Sequence, residues 1–257
     1  KFFISGSISN STQNYSVFVS TNNGQSWTAS NSGLPNSFAI NDFEVVGSDI
    51  FAGGSFFNGT NFEARLYKSS NDGASWTQIT TTGLTSLYTG NALAYQNNKI
   101  FISGSISNST QNYSVFVSTN NGQSWTASNS GLPNSFVIND FEVVGSDIFA
   151  GGSFFNGTNF EARLYKSSND GASWTQITTT GLTSLYTGNA LAYHNNKFFI
   201  SGSISNSTQN YSVFVSTNNG QSWTASNSGL PNSFAINDFE VVGSDIFAGG
   251  SFFNGTN

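Results

Sequence analysis

The chain has 257 residues, 8% of them charged and 15% aromatic, with 25 Phe and 27 Gly but neither cysteine nor methionine. Its net charge of −6, with only 7 Lys plus Arg, leaves too few cations to track phosphates, so nucleic acid is excluded as a partner. Absent cysteine excludes disulfide frameworks and thiolate metal sites, and no apolar run approaches the ~18 residues of a membrane helix, so membrane insertion is not expected.

Abundant Gly, Asn and aromatic residues favour strands and tight turns over helices. Residues 1–37 read as three strands, with a loop at residues 10–14 (Asn-Ser-Thr-Gln-Asn) before the strand that starts near Tyr15. Residues 40–46 alternate and stop at Gly47-Ser48-Asp49; residues 50–57 form a second strand that stops at Asn58-Gly59, a hairpin signal. Residues 62–69 alternate again and run into a turn, and residues 76–80 give a last strand before Gly83.

This plan recurs. Trp27, Trp76, Trp125, Trp174 and Trp223 lie 49 residues apart in every case. A repeat of about 50 residues with four short strands describes a propeller blade. A longer period sits above it: residues 1–98 match 99–196 except at Phe2/Ile100, Ala39/Val137 and Gln96/His194. The repeated object is therefore a pair of blades, a and b. The expected fold is all-β, a β-propeller of four-stranded antiparallel blades, as one domain over 1–257 with five blade equivalents. Residues 38–86, 87–135, 136–184 and 185–233 form full blades, residues 1–37 supply strands B to D, and residues 234–257 supply strands A and B.

Before each Trp stands a turn octet: residues 20–27 read Ser-Thr-Asn-Asn-Gly-Gln-Ser-Trp and residues 69–76 read Ser-Ser-Asn-Asp-Gly-Ala-Ser-Trp. The octets resemble the Asp-box, or BNR repeat, of sialidase-like and photosystem assembly factor-like propellers. The matching positions are Ser20, Asn22, Gly24 and Trp27; Ser69, Asn71, Gly73 and Trp76; Ser118, Asn120, Gly122 and Trp125; Ser167, Asn169, Gly171 and Trp174; Ser216, Asn218, Gly220 and Trp223. The resemblance implies a turn joining the third and fourth strands and a Trp packed between blades. Asparagine stands at the Asp position in every copy, which keeps an acceptor oxygen without the charge and makes the turns structural and poor cation sites.

Ring closure has two readings. The strand at residues 236–242 pairs with strands B to D of residues 1–37, which leaves the strand at residues 246–257 displaced; or the sequence is a window from a larger ring of roughly six to eight blades. Alternating a and b blades close without mismatch only in even numbers, and the absence of an initiator Met suggests a processed product or excised piece.

The sialidase resemblance would require three arginines for a substrate carboxylate, a Tyr nucleophile with its Glu, and an acid/base Asp. Arg65 and Arg163 are the only arginines, so no catalytic residue is assigned and no enzyme activity is expected. No cofactor is expected. Asp42/Glu44, Asp140/Glu142 and Asp238/Glu240 at i, i+2 share one strand face, and lining a central channel they could hold a hard cation weakly. His194 reads as an exposed turn residue. The loops joining B to C and D to A share one rim, which presents Asn10, Thr12, Asn14 and Tyr15 in one blade type and Phe57, Asn58, Glu63 and Arg65 in the other, with Tyr88 in a connection. Phe56 there is expected to pack between blades. Asn10, Asn14 and Asn58 also match the glycosylation acceptor pattern. Aromatic and amide groups with little charge suit a glycan or a protein surface. The expectation is a secreted or cell-surface bacterial binding and adhesion module with several equivalent sites, part of a larger chain or assembly. A structural spacer and a sialidase-type hydrolase are the alternatives.

Overall fold

The computed structural model describes residues 1–8, 15–84, 87–106, 113–182, 185–204 and 211–252. They fall into two compact units, Lys1–Ser128 and Asn129–Asn257. Unit 1 opens with a three-stranded sheet of β1 (Phe2–Ser7), β2 (Tyr15–Ser20) and β3 (Thr28–Ala29). A four-stranded sheet follows, of β4 (Phe38–Val46), β5 (Asp49–Phe57), β6 (Phe62–Ser69) and β7 (Thr77–Gln78). A second four-stranded sheet holds β8 (Leu93–Gln96), β9 (Lys99–Ser105), β10 (Tyr113–Ser118) and β11 (Thr126–Ala127). Unit 2 repeats the four-stranded pattern with β12 (Phe136–Val144), β13 (Asp147–Phe155), β14 (Phe160–Ser167) and β15 (Thr175–Ile177), then β16 (Ala190–His194), β17 (Lys197–Ser203), β18 (Tyr211–Ser216) and β19 (Thr224–Ala225). It ends with β20 (Phe234–Val242) paired to β21 (Asp245–Phe252). Every strand pair is antiparallel and in sequence order, so each sheet is a meander.

The turns explain this regularity. In b blades β4 passes to β5 through Gly47, whose φ of +65° at the first of two loop positions gives a II′ turn. In a blades the same place holds Asn97 and Asn98, at φ of +49° and +61°, a I′ turn. Asparagine tolerates that region, and both turn types match the strand twist. The Asn58-Gly59 hairpin is a four-residue loop between Phe57 and Phe62, because the Asn58 side chain accepts the Thr60 and Asn61 N–H groups at 3.0 and 2.9 Å.

The turn octets are closed by side chains. Ser69 Oγ accepts the Gly73 N–H at 2.9 Å and donates to Asn71 Oδ1 at 2.9 Å. Asn71 Oδ1 also accepts the Ser75 N–H, while its Nδ2 donates to Ser75 Oγ at 2.9 Å. An aspartate there would have to take that last contact in the reverse sense, accepting from the Ser75 hydroxyl. The other four octets repeat the network.

The cores lie between neighbouring sheets. In unit 1, Trp76 packs with Val17, Phe38, Ile50 and Tyr67, and its indole N–H donates to the Ser30 carbonyl of the preceding sheet at 2.9 Å. Its backbone N–H donates to Ser32 O at 2.8 Å. The tail after β3 therefore leaves its own sheet to hold the next Trp. Gly33 lies so close under this crossing that an added Cβ would stand 2.0 Å from Trp76 O, and its φ is +89°. Thr82 does the same for Trp125 at 2.9 Å, and Thr180 for Trp223 at 3.0 Å. This peeling shortens the outer strand to two or three residues rather than the five expected over 76–80. Trp76, Trp125, Trp174 and Trp223 are 3–5% exposed, whereas Trp27 is 39% exposed.

The inner strands meet through two different seams. Where a b sheet precedes an a sheet, a bulge between Ile40 and Asp42 frees Asn41 from the ladder. Asn41 Nδ2 then donates to Gly90 O at 2.5 Å, and Asp42 Oδ2 accepts the Leu93 N–H at 2.6 Å. Gly53 makes room for this strand, since a Cβ there would approach the Leu93 side chain to 3.0 Å. Unit 2 repeats the seam with Asn139 to Gly188 O and Leu191 N–H to Asp140 Oδ2, both at 2.6 Å. Where an a sheet precedes a b sheet, Ser5 stands at the Gly53 position and its Oγ donates to Ile40 O at 2.8 Å; Ser201 donates likewise to Ile236 O at 3.0 Å.

One closure expectation is corrected. The strand expected to be displaced, from residue 246 onward, pairs with β20, from Val242 opposite Asp245 to Phe234 opposite Phe252, across a bulge between Ile236 and Asp238. β1 keeps β2 as its partner within the three-stranded sheet.

Candidate binding rim

The ends of β5 and β6 build two side-chain groups, one on each face of the hairpin. On one face Arg65 lies 3.4 Å above the centroid of the Phe56 ring. Its Nε donates to Glu63 Oε1 at 2.7 Å, and Nη2 meets the same oxygen at 2.5 Å. Phe56 itself packs on the core beneath, beside Phe38 and Tyr67. The guanidinium is thus held by a ring and a carboxylate at once, a structural use of its charge. Arg163, Phe154 and Glu161 repeat it in unit 2.

The other face carries an aromatic run. Phe57 and Phe62 are directly opposed across the ladder with centroids 5.1 Å apart, and Tyr88 from the connection before β8 lies 5.6 Å from Phe62. Phe62 is 38% exposed, and the Asn58–Asn61 loop above it is open to solvent. In unit 2 Phe155, Phe160 and Tyr186 form the same run at 5.1 and 5.5 Å. The sequence reading named Phe57, Asn58 and Tyr88 but missed Phe62, which joins them. Its position directly opposite Phe57 across the loop was the available signal. Asn10, Thr12 and Asn14 lie outside the described residues. Tyr15 begins β2 half-buried, its N–H bound to Asn36 O at 3.0 Å.

The inner carboxylates are partly engaged in structure. Asp42 and Asp140 cap the backbone of the next sheet, as above. Glu142 on β12 is pushed up to about 8, first by burial and then by the charges of Glu240 and Asp238, against a bond from the Tyr193 backbone. Burial and the Glu240 charge raise Asp238 to about 6, and burial raises Glu240. By accessible area Asp238 and Glu240 are solvent-exposed, so water screens part of this repulsion. Among the described residues no group of three or more Asp, Glu or His side chains is arranged to hold a metal ion; of the expected set, Asp42 and Glu44 lie on β4 of unit 1, and Asp140, Glu142, Asp238 and Glu240 on β12 and β20 of unit 2. His194 Nε2 lies 3.1 Å from Ser244 O and 2.7 Å from Asn195 Nδ2.

An open groove of about 360 Å³ lies beside Lys166, Asn169, Thr175 and Gln176, whereas two further cavities are small. A cavity of about 10 Å³ beside Tyr15, Asn31, Pro35 and Phe38 holds at most one water. Its unit 2 counterpart, beside Tyr211, Asn227, Pro231 and Phe234, is also about 10 Å³.

The repeated four-stranded antiparallel meanders are the blades of a β-propeller. The chain belongs to the family described as the DUF6242 beta propeller domain, whose model matches residues 7–245. No curated protein matches the sequence. Among solved structures it is similar to the exo-β-1,3-galactanase of Phanerochaete chrysosporium with galactose, at 16% identity and a TM-score of 0.60. A variant of that enzyme with β-1,3-galactotriose matches at 17% identity and a TM-score of 0.61. The matches cover 81% of this chain and 55% of the galactanase, so the likeness concerns the propeller fold and about half of that protein.

Proposed function

We infer that this propeller is a non-catalytic, exported binding and adhesion module of the Asp-box type that takes a glycan at its rim. The observation that carries the reading is the run Phe57–Phe62–Tyr88 and its repeat Phe155–Phe160–Tyr186. Aromatic faces flanked by amide-rich loops suit the C–H faces and hydroxyls of a sugar, and their low charge suits a neutral one. Two such patches on one chain raise avidity beyond either alone. The galactanase structures hold galactose and β-1,3-galactotriose, which makes galactose-containing oligosaccharides the first ligands to try.

Two features support the absence of catalysis. Arg65 and Arg163 are each committed to a ring and a glutamate, so neither is available to clamp a substrate carboxylate. Asp42 and Asp140 are spent on backbone N–H groups. The test is a glycan array probed with the chain and with a Phe62→Ala/Phe160→Ala double variant. Loss of at least about tenfold in affinity, roughly 1.4 kcal/mol, supports the reading. Equal binding by the variant moves the site elsewhere, and hydrolysis of a fluorogenic sialoside or galactoside would restore the enzyme alternative.

A further inference from the structure

The sequence contains six Asn-Gly pairs, at Asn23, Asn58, Asn121, Asn156, Asn219 and Asn254, the last outside the described residues. Asn-Gly is the dipeptide in which the asparagine amide is most open to attack by the following backbone nitrogen, because glycine offers no Cβ to obstruct it. The other five asparagines are all solvent-exposed, so exposure does not rank them. The glycine nitrogen does.

In the turn octets that nitrogen is held. The N–H groups of Gly24, Gly122 and Gly220 donate to Ser20, Ser118 and Ser216 Oγ at 2.9, 2.9 and 3.0 Å. In the rim loops it is not: among the described residues the N–H groups of Gly59 and Gly157 have no hydrogen-bond partner. Both glycines sit at φ of +97° with nothing within 4 Å of a built Cβ. The electrophile is also prepared. Asn58 Oδ1 accepts two N–H groups, from Thr60 at 3.0 Å and Asn61 at 2.9 Å, and Asn156 Oδ1 accepts those of Thr158 and Asn159, each at 2.9 Å. Paired donors on the oxygen where negative charge develops during attack stabilise a tetrahedral intermediate, as an oxyanion hole does.

We propose that Asn58 and Asn156 are sites of spontaneous, structure-directed deamidation on the rim, and that the three octet Asn-Gly pairs are protected by their serines. The Gly59 nitrogen loses its proton to solvent and bonds to Asn58 Cγ. The Cγ–Nδ2 bond breaks and ammonia leaves, forming a succinimide; water then opens the ring to aspartate or isoaspartate. Each event turns a neutral amide into a carboxylate beside the Phe57–Phe62 run. In the isoaspartyl product it also lengthens the backbone by one atom, which the two-donor turn cannot accommodate.

The experiment is peptide mapping by mass spectrometry of the full chain, held at pH 8 and sampled over weeks, folded and in denaturant. One N–H···O bond must break before attack in the octets, so the folded chain gains 1 Da at Asn58 and Asn156 roughly two- to tenfold faster than at Asn23, Asn121 and Asn219. In denaturant the rates converge, since only the fold distinguishes the sites. A Ser118→Ala variant raises the Asn121 rate in the folded chain. Equal folded rates, or faster change in the octets, would overturn the proposal.

Discussion

The Asp42 carboxylate accepts the Leu93 N–H at 2.6 Å and so ties the inner strand of one sheet to that of the next. An N–H at such a crossing has no ladder partner of its own to fall back on. Its loss is therefore felt between sheets rather than within one.

Asp42→Ala leaves the Leu93 N–H without its acceptor and destabilises unit 1 by about 1–3 kcal/mol. Asp42→Asn, which keeps an oxygen, costs less. The denaturant midpoints of the two variants should fall in that order, while chelators leave the parent midpoint unchanged. A metal-dependent midpoint would mean that the inner carboxylates serve a cation after all.

The raised carboxylates set a direction for pH. Glu142 holds its proton up to about 8 when folded, whereas an unfolded glutamate loses it near the usual 4.5. Between those values the folded state binds more protons than the unfolded, so stability falls as pH rises and levels off above about 8. Asp238, raised to about 6, adds to the same slope at lower pH. Thermal melts of the parent from pH 4.5 to 8.5 should decline, and Glu142→Gln should flatten the upper part of the curve. A parent whose melting temperature rises through this window contradicts the assignment.

Trp76 and Trp27 occupy equivalent positions with different surroundings, 3% against 39% exposed. Trp76→Ala removes a core indole and costs about 3–5 kcal/mol. Trp27→Ala costs well under half of that. Acrylamide quenching of a variant that retains only Trp27 should be several-fold stronger than one that retains only Trp76.

Arg65 is fixed by shape as much as by charge. Arg65→Lys keeps the cation but loses the planar stack on Phe56 and the two-pronged contact with Glu63. Arg65→Lys and Arg65→Met should then destabilise by similar amounts, about 1 kcal/mol, in equilibrium unfolding. Full stability in the lysine variant would reduce the arrangement to a surface ion pair.

Much of the fold could be read from the sequence because its signals are local. Indoles at a fixed spacing set the repeat length, and Gly47 marks a strand end because the turn it opens needs a positive φ. What escaped is non-local. Alternation correctly put Asp42 and Glu44 on one strand, but it could not show the bulge at Asn41 or that Leu93 brings an unpaired N–H to meet the carboxylate. Outer strands were read too long because the tail leaves for the next Trp, a choice made by packing and not by propensity. Phe62 was passed over because it looked like an ordinary strand opener until Tyr88, 26 residues on, came beside it.

The two seams bear on heredity. Ser5 presents a hydroxyl where Gly53 presents a gap, and each fits only the neighbour it has: the hydroxyl meets a carbonyl, the gap admits a leucine. A crossover that slipped by a single blade would bring two gaps or two hydroxyls into succession and leave a leucine or a carbonyl unserved. One that slipped by two would reproduce both fits. Adding or removing blades in pairs therefore keeps both fits, which agrees with the near-identity of residues 1–98 and 99–196.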